Sequence, residues 1–450
     1  MPSMSDGPAP RSPEGITQQA PGFIGGFLIR QKAKLTRNKQ ILGSVAAVFG
    51  GNITASLLGA FGGLLVARFL GPEETGRYRV YTIPLMYLTF MHLGTFDGLW
   101  RQIPFYTGKN MPEKVEALAS AAGAWNALIS ILASAAFLVC AAVALIRGDR
   151  YGVAGWLAQV LFCWFVYYGG YLTATYRTIH QFVALARIQL IQAVLVFGAV
   201  FIVPFTGFFG LCIRGSIPAF TAVALFHRNR PLKVRYRFDW KSLGEVVRIG
   251  LPFSVWGSLY TSIWMATESA LMLSLGGVKG LGLFAVAAVM RDGMIVLPQS
   301  VYQVMTPRVV EAYAREGSVR SANARSLAVT AGLTAGMAGL VLICSYLIGI
   351  LVPLAIPKYA AGIPLMKVCL WFSVLQAASL PFNTLFATGN SWLYGRSVII
   401  GLIVFPISAY LLTPAFGGIL AVALGSLLGR TARTLVAYAE IAVLTRREAA

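Results

Sequence analysis

Acidic side chains are scarce in this chain. Only 16 Asp and Glu stand among 450 residues, and charged residues of both signs make up 12%. A water-soluble surface needs about twice that fraction, so an ordinary soluble globule is excluded. Cysteine is scarce too. Cys140, Cys163, Cys212, Cys344 and Cys369, an odd number, lie in or beside apolar runs with no CxxC spacing. That argues against a disulfide framework or a thiolate metal site and reads them as small packing residues. The three histidines, His92, His180 and His227, form no cluster, so no metal site is visible. No phosphate-cradling glycine motif precedes a soluble helix, because GVKGLG is a corner between two apolar runs.

Apolar residues fill the gap. They make up 57% of the chain, and mean hydropathy is +0.70. Runs of about 20 apolar residues recur, each long enough to cross a hydrocarbon core of about 30 Å. The reading is an all-α polytopic membrane protein of about twelve spans, near 42–68, 78–103, 115–146, 152–177, 185–205, 207–227, 247–274, 279–305, 325–352, 362–388, 392–413 and 415–444. The connections predicted outside are only about a turn long, too short to carry the catalytic loop of an oligosaccharide polymerase or ligase.

The charges that remain are lopsided: 37 Lys and Arg give a net charge of +21. They lie mainly between apolar runs, which points to the positive-inside rule and anionic inner-leaflet lipids rather than nucleic acid. An anionic substrate is a compatible second cause. Inner connections carry Arg101, Lys109 and Lys114, then Arg177 and Arg187, then Arg308, Arg315, Arg320 and Arg325. Outer ones hold Lys279 or Lys358 alone, or nothing. The corner FLGPEETGRYRV breaks the rule, with Arg68, Arg77 and Arg79 against Glu73 and Glu74. Both termini are expected inside.

Residues 1–40 read as a disordered cytoplasmic tail with a basic end and no signal-peptide core. Residues 41–227 and 247–445 form two sets of six spans, divided by a basic linker at 228–246. Within it Asp239 is a candidate N-cap for an amphipathic interfacial helix feeding span seven. The even division suggests a repeat. RFLGPEETGRY (68–78) aligns without a gap on SLGGVKGLGLF (274–284), placing Gly71 on Gly277 and Gly76 on Gly282. Gly71, Pro72, Gly76, Gly277 and Gly282 are therefore candidate hinge residues. Halves of six spans each should share one orientation, related by an axis along the membrane normal.

At this point the chain resembles a known family. LVARFLGPEETGRYRVY is similar to the opening motif of bacterial polysaccharide (O-antigen type) flippases, within the multidrug/oligosaccharidyl-lipid/polysaccharide (MOP) exporter superfamily. VVRIGLPFSVWGSLYTSIWMATESALMLSLGGVKGLGLFAVAAVM is similar in the second half, and the likeness covers about residues 40–445. The resemblance implies two six-helix lobes around a central cavity, alternating access, no enzymatic activity, and an undecaprenyl-pyrophosphate-linked oligosaccharide moved to the outer leaflet of the bacterial inner membrane. A polysaccharide polymerase and a chain-length regulator are the protein partners it implies. There are departures: Glu268 stands where the family commonly shows Asp, and Gly71-Pro72 replaces the Arg-Asp pair of the peptidoglycan-precursor branch. The alternative is a cation-coupled multidrug exporter of the same fold, against which the first span offers only Asn52 and no carboxylate.

A pyrophosphate crossing a low-dielectric layer needs cationic groups and hydrogen-bond donors, and a charge at a span's centre costs about 2.5–3.5 kcal/mol on insertion scales. Arg291, Arg214, Arg430 and Arg433 are therefore the candidate cargo contacts. Arg430 and Arg433 share a helix face, and arginine's planar fork suits phosphate. Arg291 and Asp292 are adjacent and should diverge by about 100°, leaving Arg291 without an acid on its own helix face. Glu268, with no partner on its own helix, and Asp292 are candidates for coupling to H+ or Na+. Glu268 is alternatively the counter-charge to Arg291, at the limit of reach. Asp97 and Arg101, four residues apart, are expected to form a structural ion pair.

Overall fold

Helix starts and breaks follow local chemistry that the length criterion alone does not see. The protein is represented by a computed structural model that describes residues 54–316, 318–382, 385 and 391–449. The tail at 1–40, Asn52 and the start of the first span lie outside the described residues, as do the side chains of Arg308, Arg315, Arg320 and Arg325. The described elements are all helical, and we number them α1 (Thr54–Phe69), α2 (Pro72–Leu88), α3 (Thr95–Gly108), α4 (Pro112–Ile146), α5 (Arg150–Thr178), α6 (Phe182–Thr206), α7 (Phe208–Arg228), α8 (Trp240–Ser258), α9 (Trp264–Glu316), α10 (Val319–Ala355), α11 (Ile363–Ala378), α12 (Ser391–Phe416) and α13 (Gly418–Ala449). Among the described residues nine stretches are individually long and apolar enough to cross a membrane. The remaining helices complete twelve segments in two lobes. The second segment is α2 and α3 end to end, and α9 bends at Gly277 to supply parts of two.

The corner FLGPEETGRYRV corrects the expected boundary. Most of it is not a connection but the first turns of α2. Pro72 sits at the helix start, where a missing N–H does no harm. Glu73 and Glu74 fill the first turn, where negative charge suits the helix dipole. The second span is then broken rather than continuous. Leu93 and Gly94 adopt φ of 50° and 72°, and the Gly94 N–H donates to His92 Nδ1 at 3.1 Å before α3 begins.

The two copies of the glycine corner pack on each other. A Cβ on Gly76 would overlap the Val278 carbonyl oxygen, and one on Gly282 would overlap the Pro72 carbonyl. In the repeat Pro72 aligns with Val278 and Gly76 with Gly282. The two contacts are thus one contact made twice, as a pseudo-two-fold axis requires. The turn at Pro357–Gly362 closes over the same end: Lys358 Nζ donates to the Phe69 carbonyl at 3.1 Å, and Thr75 Oγ1 lies 2.9 Å from the Tyr359 hydroxyl.

At the opposite end α3 crosses α8 backbone to backbone, with a Cβ on Gly94 only 2.5 Å from Gly250 carbonyl carbon. Glu245 of α8 accepts from Tyr106 at 2.5 Å and Lys114 at 3.1 Å. Asp239 caps α8, accepting from the N–H groups of Lys241 (3.2 Å) and Ser242 (3.0 Å), and α8 runs without interruption into span seven.

Candidate functional site

Two arginines of the second lobe, Arg291 and Arg430, converge on one carboxylate. Tyr260, Trp264 and Glu268 recur every four residues on the arm of span seven that leads to Gly277, so they share a helix face. Tyr260 belongs to a π-helical turn, Leu259–Ile263, a geometry that concentrates at functional positions. Beyond the bend, Arg291 comes back alongside Glu268. Ser426, Arg430 and Arg433 enter from α13, whose packing on α12 is set by small residues. A Cβ on Gly429 would lie 2.6 Å from the Gly401 carbonyl oxygen, and one on Gly425 2.6 Å from the Ala409 nitrogen. Such close approach fixes where the arginines of α13 point.

Glu268 is 1% exposed. Its Oε1 accepts from Trp264 Nε1 at 3.1 Å, from Arg430 Nη2 at 2.9 Å and from the Ser426 hydroxyl. Its Oε2 accepts from Arg291 Nη1 at 3.1 Å. The expectation that Glu268 lacks a partner on its own helix is therefore corrected, because Trp264 one turn earlier donates to it. Of the two roles read for it, the geometry supports the counter-charge. Arg291 is not at the limit of reach but in direct contact.

Arg291 is 3% exposed and also donates through Nε to Asp292 Oδ1 at 2.9 Å. The adjacent pair does diverge, Arg291 inward and Asp292 outward, yet the two still meet at their tips. The Asp292 side chain is 57% exposed, and a guanidinium is long enough to fold back to the neighbouring carboxylate. Arg79, half-buried on α2 of the first lobe, is within electrostatic reach of both Asp292 and Arg291.

Arg430 bonds Glu268 with one nitrogen and approaches the Tyr260 hydroxyl with the other, at 3.3 Å. Its guanidinium carbon lies 4.9 Å and 4.8 Å from the ring centres of Trp264 and Phe372. Arg433 differs. Its guanidinium lies 3.6 Å over the Tyr260 ring and 4.8 Å from Phe382, and no ion pair among the described residues includes it. The cluster therefore holds three guanidinium groups, Arg291, Arg430 and Arg433, against two carboxylates, Glu268 and Asp292. A cavity of about 390 Å³ opens beside Arg433.

The other candidates lie elsewhere. Arg214 is in the first lobe on α7, half-buried against α1 and Tyr78, with its Nε buried and unbonded. Asp97 is half-buried beside Ser254, and Arg101 is exposed one turn further along α3. Gly71 precedes α2 in extended conformation, and Gly277 alone of the five hinge glycines and prolines takes a positive φ, 65°. Sequence reasoning missed Tyr260, Trp264, Ser426 and Arg79. The four-residue stripe Tyr260–Trp264–Glu268 and the spacing Ser426–Arg430 were the available signals. Nothing local marked Arg79 as a neighbour of Asp292.

No protein-family profile matches the chain, and no curated protein matches it in sequence. Solved structures do. An inward-facing multidrug resistance MATE family transporter of the MOP superfamily superimposes with a TM-score of 0.72 at 15% identity, over 88% of this chain and 96% of that one. The lipid II flippase MurJ in an inward closed conformation gives 0.64 at 13% identity, over 87% of each. A MOP superfamily transporter from Pyrococcus furiosus, described as having a binding pocket of reverse polarity, gives 0.61 at 14% identity, over 89% and 95%. Twelve helical segments among the described residues, in two lobes tied together by a repeated glycine corner, make this a multi-pass membrane protein with the fold of the MOP-superfamily transporters.

Proposed function

We propose that the protein is a flippase for undecaprenyl-pyrophosphate-linked oligosaccharides, carrying them by alternating access from the inner to the outer leaflet of the bacterial inner membrane, with both termini cytoplasmic. The observation that carries this reading is the excess of buried arginine around Glu268. A site for organic cations, or one that takes a metal cation at its carboxylate, needs free negative charge. Here both oxygens of Glu268 already accept from guanidinium, indole or hydroxyl donors. Arg433 stays without a carboxylate among the described residues, and Arg214 and Arg79 add positive charge in the first lobe. That balance suits a diphosphate. Likeness of fold alone fits a multidrug exporter equally well, and the flippase reading rests on the charge of the interior.

In the proposed cycle the diphosphate competes with Glu268 for Arg430 and Arg291. The carboxylate released from its arginines would then be the place for a coupling H+ or Na+. The basic linker at 228–246 holds the inner face against anionic lipids, and a polysaccharide polymerase and chain-length regulator act on the product.

The test is reconstitution of the full chain into vesicles with a fluorescent undecaprenyl-pyrophosphate-linked sugar, scored by the label's accessibility from outside. Transbilayer movement above that of empty vesicles is expected. Absence of movement, together with gradient-driven export of a cationic dye, overturns the reading in favour of a multidrug exporter.

A further inference from the structure

Arg433 does not share the arrangement of its neighbours. Arg291 and Arg430 each have a carboxylate, whereas Arg433 is 3% exposed, and no ion pair among the described residues includes it. Its Nε is buried without a hydrogen-bond partner, and Nη2 reaches only the Tyr394 hydroxyl, at 3.4 Å. What surrounds the guanidinium is aromatic: the ring centres of Tyr260, Phe382 and Tyr394 lie 3.6, 4.8 and 5.5 Å away. Such rings stabilise a cation without neutralising it. The positive charge is therefore held in place and left available.

The cavity beside it mixes aromatic rings with a few polar groups. Its volume is about 390 Å³, within the range of small-molecule sites, and Gln299, Tyr302, Gln376 and Tyr394 line it together with Tyr260 and Arg433. Gln299 is exposed at its rim. On the topology expected from the charge bias, with both termini inside, this cavity belongs to the inner half of the second lobe.

We infer that this cavity is a phosphoryl-binding subsite at the edge of the Glu268 cluster, in which Arg433 takes one phosphate of a diphosphate and the glutamine and tyrosine groups take hydroxyl or amide groups next to it. It rests on the flippase reading for its cargo, but not for its geometry. Arg433 and Arg430 lie one turn apart on α13, and Tyr260 touches both: the face of its ring meets Arg433 and its hydroxyl meets Arg430. A phosphate first held by Arg433 is thereby delivered beside the arginine that Glu268 holds.

The test uses the full chain, purified in detergent, with inorganic pyrophosphate as the probe and isothermal titration as the readout. Wild type is expected to bind, and R433Q to bind at least tenfold more weakly. Because R433Q removes a buried group, Q299W is measured beside it. That change places a bulky ring at an exposed rim position, and it is expected to weaken binding by a similar factor with unchanged thermal unfolding. Wild-type affinity in a folded Q299W, or in a folded R433Q, overturns the subsite. Anionic phosphatidylglycerol is the competing phosphate source, and it is expected not to displace pyrophosphate. Occupancy by the lipid headgroup and not by pyrophosphate overturns the assignment to a diphosphate. Flipping measured on the same preparations separates the two ideas. Wild type that binds pyrophosphate through Arg433 but moves no lipid-linked sugar sinks the flippase reading alone, whereas wild type that moves it with R433Q unimpaired sinks the subsite alone.

Discussion

Glu268 keeps two buried arginines from repelling each other in a region of low dielectric, and it is surrounded so fully that no oxygen lacks a donor. Removing one partner from such a group leaves uncompensated buried charge, which costs about 3–5 kcal/mol. Glu268→Gln is therefore expected to destabilise the purified protein by that order, read from its unfolding in detergent. Asp292→Asn should behave differently. Its carboxylate is more than half exposed and Arg291 keeps Glu268, so unfolding should shift by less than about 1 kcal/mol. Equal losses from both substitutions would contradict the assignment of Glu268 as the internal counter-charge. The individual charges were legible in the sequence because charged residues inside apolar runs are conspicuous. Their pairing was not. Arg430 is 162 residues from Glu268, and the contact exists only because Gly277 folds one arm back and small residues on α12 and α13 let those helices meet.

At the scale of the elements, the glycine corner makes the sharpest prediction. A methyl group at Gly282 would collide with the backbone of Pro72, which has no flexible side chain to yield. Gly282→Ala is expected to destabilise by about 1–3 kcal/mol, as overpacking does. Gly59→Ala is the control: its Cβ would meet nothing within 4 Å, and alanine gains helix propensity there. Comparable loss in both would remove the corner contact from the account. The other end gives a pH prediction. The Tyr106 hydroxyl, first, and then Lys114 hold the Glu245 carboxyl below its ordinary value of 4.5. A lowered carboxyl contributes stability above its unfolded value and loses it as the pH falls through the folded one. The contact between α3 and α8 should therefore loosen only below about pH 4.5, seen as faster hydrogen exchange at the start of α8, and Glu245→Gln should abolish that acid dependence.

At the scale of the whole molecule, the proposed alternating access requires the corner end to open. Thr75 and Tyr359 touch across it, and Lys358 reaches the Phe69 carbonyl. Thr75→Cys with Tyr359→Cys, bridged by a short thiol-reactive linker in a background free of the five native cysteines, should arrest transport, and reduction of the linker should restore it. Unchanged transport in the bridged protein would mean that this end does not part during the cycle.

Hydropathy decided that the chain crosses a membrane many times, because each span's length and apolarity are local properties that the bilayer reads directly. The internal alignment of the two glycine corners likewise announced a duplicated architecture, since equal contacts need equal residues. Where helices begin and break was only partly legible. Pro72 with two acids marked a start, but the break at Leu93–Gly94 depends on α8 passing close to Gly94. The balance of charge in the interior was beyond the sequence altogether. Guanidinium and carboxylate groups neutralise each other only at contact distance, and tertiary folding alone decided that Glu268 holds Arg291 and Arg430 while Arg433 keeps its charge among aromatic rings.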